Sequence, residues 1–94
     1  MVAVEVERCN DDIRTAVPDD YDKMAACDPE AAIWVVPTHA DGHTVLQALN
    51  DPLEGPFRIE KEYSESMRVS RFRIDQPGFT EMRTIEQLQR DVLG

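Results

Sequence analysis

The chain has 94 residues, enough for one domain over 1–94 with a modest core that buries roughly 60–65% of its unfolded surface. Nineteen acids against ten bases give a net charge of −9; residues 1–55 hold twelve acids and three bases and residues 56–94 seven of each, so any polyanion is expected to meet the C-terminal half. No apolar run nears the ~20 residues of a membrane span, and Met1-Val2-Ala3-Val4-Glu5 lacks the basic segment of a signal peptide, so the chain is expected in the cytoplasm, away from membranes.

Val2, Val4 and Val6 alternate with Ala3, Glu5 and Glu7, a period of two that predicts a strand over 2–8 with one valine face and one face carrying two carboxylates. Asn10, Asp11 and Asp12 offer N-cap oxygens. Ile13, Val17, Tyr21, Met24 and Ala25 then form one helical stripe. Pro18 interrupts it, so either the helix kinks there or a second helix starts with Pro18 near N1. Asp28-Pro29 closes the segment. Ala31 to Val36 is a continuous apolar run that suits a strand buried on both faces of a parallel sheet. Thr38, with Asp41 three residues on, caps the next helix, whose buried side is Ala40, Val45, Leu46, Ala48 and Leu49. Asn50-Asp51-Pro52 stops it. Strand, helix, strand, helix is a parallel βαβα unit with a right-handed crossover.

Beyond residue 55, Phe57, Ile59 and Tyr63 alternate with charged residues. After a turn at Ser64-Glu65-Ser66, Met67 to Ile74 reads as a partner strand, giving an antiparallel hairpin. Gln76-Pro77-Gly78 is turn chemistry. Thr84 with Gln87 is a capping box for a C-terminal helix whose buried stripe is Ile85, Leu88, Val92 and Leu93. The expected architecture is α/β: a small sheet with a parallel βαβα unit, then an antiparallel hairpin and a C-terminal helix.

Three constellations could carry chemistry. Glu5 and Glu7 point the same way from one strand, with Cα atoms roughly 6–7 Å apart. Two aligned carboxylates can hold a hard cation such as Mg²⁺, which could activate a water for phosphodiester cleavage; the plainer reading is a strand whose outer face is wet. His39 and His43 have the i, i+4 spacing of two metal nitrogens, but no glutamate base or third ligand accompanies them, so two surface histidines are preferred. Arg58, Lys61, Arg68, Arg71 and Arg73 could lie on a phosphate backbone, with Phe57, Tyr63 and Phe72 as stacking groups. Glu60, Glu62 and Glu65 sit among them, and cross-strand Arg–Glu pairs are the simpler account. Arg68, Arg71 and Arg73 have no acid between them and are the nucleic-acid candidates. No Gly-rich phosphate loop or nucleophile elbow is present.

The order of Val2 to Arg8, Tyr21-Asp22-Lys23-Met24, Ile33-Trp34-Val35-Val36-Pro37 and Val45-Leu46-Gln47-Ala48-Leu49 resembles the latter part of the core of restriction-endonuclease-like nucleases, the PD-(D/E)xK superfamily. The likeness is to degenerate members such as the replication-relaxation group of plasmid-borne proteins, and covers about residues 2–50. It implies Glu5 as the acidic metal ligand, Glu7 where the family has its lysine, and the lysine's role supplied from the following helix by Arg14 or Lys23. The family's preceding strand, which carries an aspartate ligand, has no counterpart here. The resemblance therefore implies an accessory domain of DNA transactions in a plasmid, virus or mobile element, more a binder than an enzyme and non-catalytic alone. DNA, and a second protein completing the site, are its implied partners. The alternative is a catalytically inert protein-interaction or regulatory module; third is a Mg²⁺-dependent nuclease using Glu5, Glu7 and Lys23.

Lys23 and Lys61 are the only lysines, and aspartate slightly outnumbers glutamate. Hydrated carboxylates keep a chain soluble in strong salt, and at molar salt a Debye length of ~3 Å makes self-repulsion small; the composition predicts a salt-adapted, halophilic archaeal type of protein. Cys9 and Cys27 form no C-x-x-C pair and read as small buried hydrophobes. A sheet of so few strands needs its edges covered, which predicts a homodimer.

Overall fold

A period-two strand with valines on alternate positions can turn either face inward, and here the helices decide. The computed structural model describes residues 1–7, 12–59 and 67–93. In chain order these form β1 (Val2–Val6), α1 (Ile13–Ala26), β2 (Ala31–Val36), α2 (His39–Asn50), a 3₁₀ turn (Val69–Arg71), β3 (Arg73–Gln76), β4 (Phe79–Thr84) and α3 (Ile85–Leu93). The strands make one sheet in the order β1-β2-β4-β3. β1 and β4 flank β2 in parallel, and β3 joins β4 antiparallel. This is the expected parallel βαβα unit, hairpin and C-terminal helix. No helix among the described residues is long and apolar enough to cross a membrane.

One core holds the layers together. Ala32, Trp34 and Val36 of β2 pack with Val17, Tyr21 and Met24 of α1, with Val45, Leu46 and Leu49 of α2, and with Phe79 and Met82 of β4. Trp34 is its centre. Its indole N–H donates to the Gly78 carbonyl at 2.8 Å, which satisfies the buried polar atom and ties β2 to the β3–β4 turn. Phe79 stacks on it at 6.0 Å, and Phe72 meets Phe79 edge-on at 5.7 Å. The other residues of β2, Ala31, Ile33 and Val35, are half-buried. The strand is thus fully buried on one face, not both.

Pro18 neither breaks nor restarts the helix: α1 is continuous from Ile13 to Ala26. Proline cannot donate to the carbonyl four residues back. That carbonyl, of Arg14, instead receives the Leu53 N–H at 3.1 Å. The Arg14 side chain closes the same junction onto Asp51, through its backbone carbonyl at 3.1 Å and its carboxylate at 3.3 Å. Asp12 is the N-cap residue, but in left-handed conformation and without a side-chain capping bond; Asn10 and Asp11 lie outside the described residues. The other two caps form as expected: Thr38 Oγ1 accepts from the Asp41 N–H, and Thr84 Oγ1 from the Gln87 N–H.

The hairpin lies later than the alternation suggests. It is β3–β4, turning at Pro77-Gly78. Phe57 to Ile59 is not strand; its Arg58 and Ile59 N–H groups both donate to the Leu49 carbonyl at the end of α2. Lys61, Tyr63 and the turn at 64–66 lie outside the described residues. Val69 opens a 3₁₀ turn where the expected strand would continue, and it packs on Gly42 of α2: a Cβ built at Gly42 would sit 2.6 Å from Val69 Cγ2. Gly42 thus replaces Ala40, which is exposed, on the buried side of α2. Ile85 and Leu88 of α3 stay partly exposed rather than buried, while the Val92 and Leu93 side chains lie outside the described residues. Cys27, at the C-cap of α1, is exposed and free, not buried; Cys9 lies outside the described residues.

Gly78 is packed so closely that an added Cβ would lie 2.6 Å from the Tyr21 ring and 2.7 Å from the Tyr21 carbonyl. Backbone has to move to admit it. Gly78→Ala should therefore lower stability by about 1–3 kcal/mol in urea unfolding, with the Trp34 fluorescence transition shifted to lower denaturant.

Candidate functional site

In β1 the odd residues face the helices. Ala3 packs against the core, and Glu5 and Glu7 are half-buried. Asp20 projects from α1 into the same space. One carboxylate oxygen from each of Glu5, Glu7 and Asp20 lies within 4.8 Å of the others. The wet-face reading of the strand is inverted: the carboxylates turn toward α1, and Val2, Val4 and Val6 turn to solvent at 53%, 59% and 53% exposure.

Glu5 is held above the usual carboxylate range. Burial is the first cause, followed by the charge of Asp20, a side-chain hydrogen bond with Asp20 and the charge of Glu7; Lys23 opposes them. Lys23, exposed in the last turn of α1, is thus near enough for its charge to act on Glu5. The three carboxylates fit a cation. Hard divalent cations take such oxygens at about 2.0–2.6 Å, and three carboxylates this close can converge on one of them. Asp20 was not among the sequence candidates. It stands in a run with Asp19 and Asp22, and only the packing of α1 across β1 distinguishes it.

The arginines do not form one cationic ribbon. Arg73 stands opposite Glu81 in the β3–β4 register and pairs with it at 3.7 Å, and Arg83 reaches the same carboxylate at 3.2 Å. Arg58 is bound to Asp22, with contacts of 3.0 and 2.9 Å to its two oxygens, and its guanidinium also donates to the Pro56 carbonyl. Arg68 is exposed and lines a cleft of about 440 Å³ with Arg90 and His39, but Glu86 and Asp91 line it too. The Arg71 side chain lies outside the described residues. His39 and His43 do share one face, ring centroids 4.5 Å apart. His39 Nε2 is occupied as acceptor of the Val69 N–H at 3.4 Å, and the carboxylate trio is the one metal-competent group among the described residues.

A carboxyl group whose native pKa is raised binds its proton more tightly folded than unfolded. Its contribution is most favourable below the ordinary carboxylate value and is lost as pH rises through the native one. Glu5→Gln removes that loss. It should melt higher than the native chain at neutral pH, and the gap should close as the solution is acidified through the carboxylate range; a gap independent of pH would contradict the burial and crowding of Glu5.

No family model, no curated protein and no solved structure matches the chain.

Proposed function

We propose that this chain is a protein-interaction module without catalytic activity of its own, working through the open face and free edge of its sheet. One observation carries the reading: Val2, Val4 and Val6 are each more than half exposed, on the face away from the helices. By the β1–β2 register they stand beside the half-buried Ala31, Ile33 and Val35, so the apolar positions of this face are contiguous and not scattered. Contiguous apolar surface rimmed by charge is the signature of an interaction site, and here Arg73, Glu81 and Arg83 supply the charge. The backbone adds a second mode of recognition, since an exposed edge can accept a strand. A photoreactive benzoylphenylalanine placed at Val2 should give one adduct of discrete mass in the cells that make the protein, and the same group at Gln47, exposed on α2, should give none. Adducts from both positions, or from neither, would defeat the reading.

The gathering of Glu5, Glu7 and Asp20 favours a second reading, the nuclease-derived accessory domain of DNA transactions. Here the trio holds a divalent cation, Lys23 stands beside it, and Arg68 and Arg73 meet DNA only where their acidic neighbours allow. Ca²⁺ or Mn²⁺ at a hundred times its dissociation constant should stabilise the fold by about 2.7 kcal/mol, seen as a rise in Tm that Glu5→Gln and Asp20→Asn remove. Supercoiled plasmid should stay intact with Mg²⁺ and the chain alone, while duplex DNA should bind and release with rising salt. A Tm indifferent to both Ca²⁺ and Mn²⁺ would end this reading.

A further inference from the structure

Among the described residues, the outer edge of β1 pairs with no other strand. In a parallel ladder the backbone groups of alternate residues point to the same neighbour. The Glu7 N–H donates to the Val35 carbonyl at 2.9 Å, so the odd residues of β1 face β2. The N–H and C=O groups of Val2, Val4 and Val6 therefore point away from the sheet, and β1 is its outermost strand among the described residues. The same valines that expose their side chains thus expose their backbone.

We infer that a second copy of this chain occupies that edge, the two β1 strands running antiparallel about a two-fold axis at Val4. This rests on the interaction reading above and names its partner. The valines are placed symmetrically, so Val4 meets Val4 of the second copy and Val2 meets Val6, each exchanging both N–H and C=O, as an isologous contact requires. Charge selects the register. Centred on Val4, Glu5 stands opposite Ala3 of the second copy and Glu7 opposite Met1. Centred on Glu5, the two Glu5 side chains oppose each other, and centred on Val6, Glu5 opposes Glu7; like charges directly opposite are unfavourable. Centred on Ala3, Val2 meets Val4 and Val6 has no residue of the Val2–Val6 strand opposite it. The Val4 register alone pairs every valine and opposes no carboxylates.

Two consequences follow. So short a strand pair buries less than the roughly 1,200 Å² of a standard interface, so the dimer is reversible. Each copy carries a net charge of −9 and brings its carboxylate trio toward the axis, so salt strengthens the contact by screening. Sedimentation velocity of the full chain should show a dimer that forms with concentration up to about 1 mM, tighter in molar KCl than at low salt. Val4→Pro removes only an outward N–H, at an edge-strand position where proline is tolerated, and should leave a folded monomer. Val4→Lys serves if the proline variant does not fold, and should also be monomeric. A native chain that stays monomeric throughout, a dimer that tightens at low salt, or variants that dimerise like the native chain would overturn the pairing. A monomeric native chain that still gives a single Val2 adduct with a different protein would overturn self-pairing and leave the interaction reading standing.

Discussion

Two helices can cover one face of a small sheet, and the placement of every functional group follows from which face that is. α1 and α2 pack over Ala32, Trp34 and Val36, and β4 adds Phe79 and Met82 to the same side. Trp34 fixes the choice, because its ring needs enclosure and its N–H needs the Gly78 carbonyl. Once the even residues of β2 face the helices, the β1–β2 register sets Glu5 beside Trp34 and Val4 beside Ile33. The glutamates are drawn under α1 and the valines are turned out.

That outcome runs against simple amphipathic patterning. A fully buried valine is worth roughly 1.5–3 kcal/mol, so valines left more than half exposed forgo on the order of 1 kcal/mol each. Glu5 adds a penalty of its own, since burial and two carboxylate neighbours disfavour its charged form. Against a net stability of about 5–15 kcal/mol for a typical domain, these are not negligible. Reversing the strand would relieve both at once. Its present orientation leaves two features together, an inner carboxylate cluster and an outer apolar edge, and they are the two from which a function can be argued.

Local signals were legible in the sequence and non-local ones were not. Thr38 with Asp41 and Thr84 with Gln87 are readable because a cap is settled within one helical turn. The βαβα order was readable because each element carries its own period. Pro18 was ambiguous because its tolerance depends on Leu53, which donates to the carbonyl that the proline leaves open. The alternation from Phe57 to Tyr63 suggested a strand, but Arg58 and Ile59 spend their N–H groups on the end of α2. The hairpin instead formed where the Pro77-Gly78 turn lets Trp34 reach the backbone.

The candidate site divides the same way. Glu5 and Glu7 were identifiable as a pair because strand geometry alone puts i and i+2 on one side. Which side, and with what company, is decided by α1: Asp20 joins them, and Lys23 acts on Glu5 from the same helix. The arginines show the converse. Arg68, Arg71 and Arg73 lie in a stretch without acids, yet strand pairing sets Glu81 across from Arg73 and lets Arg83 share it. Charge read along a chain overestimates the field at a surface whenever the neighbouring strand carries the opposite sign. Here it does, and Arg73 is paired where its own stretch of chain offers no acid. What remains distinctive is an apolar edge on an acidic body, a combination that association through backbone and side-chain burial can use and that phosphate binding cannot.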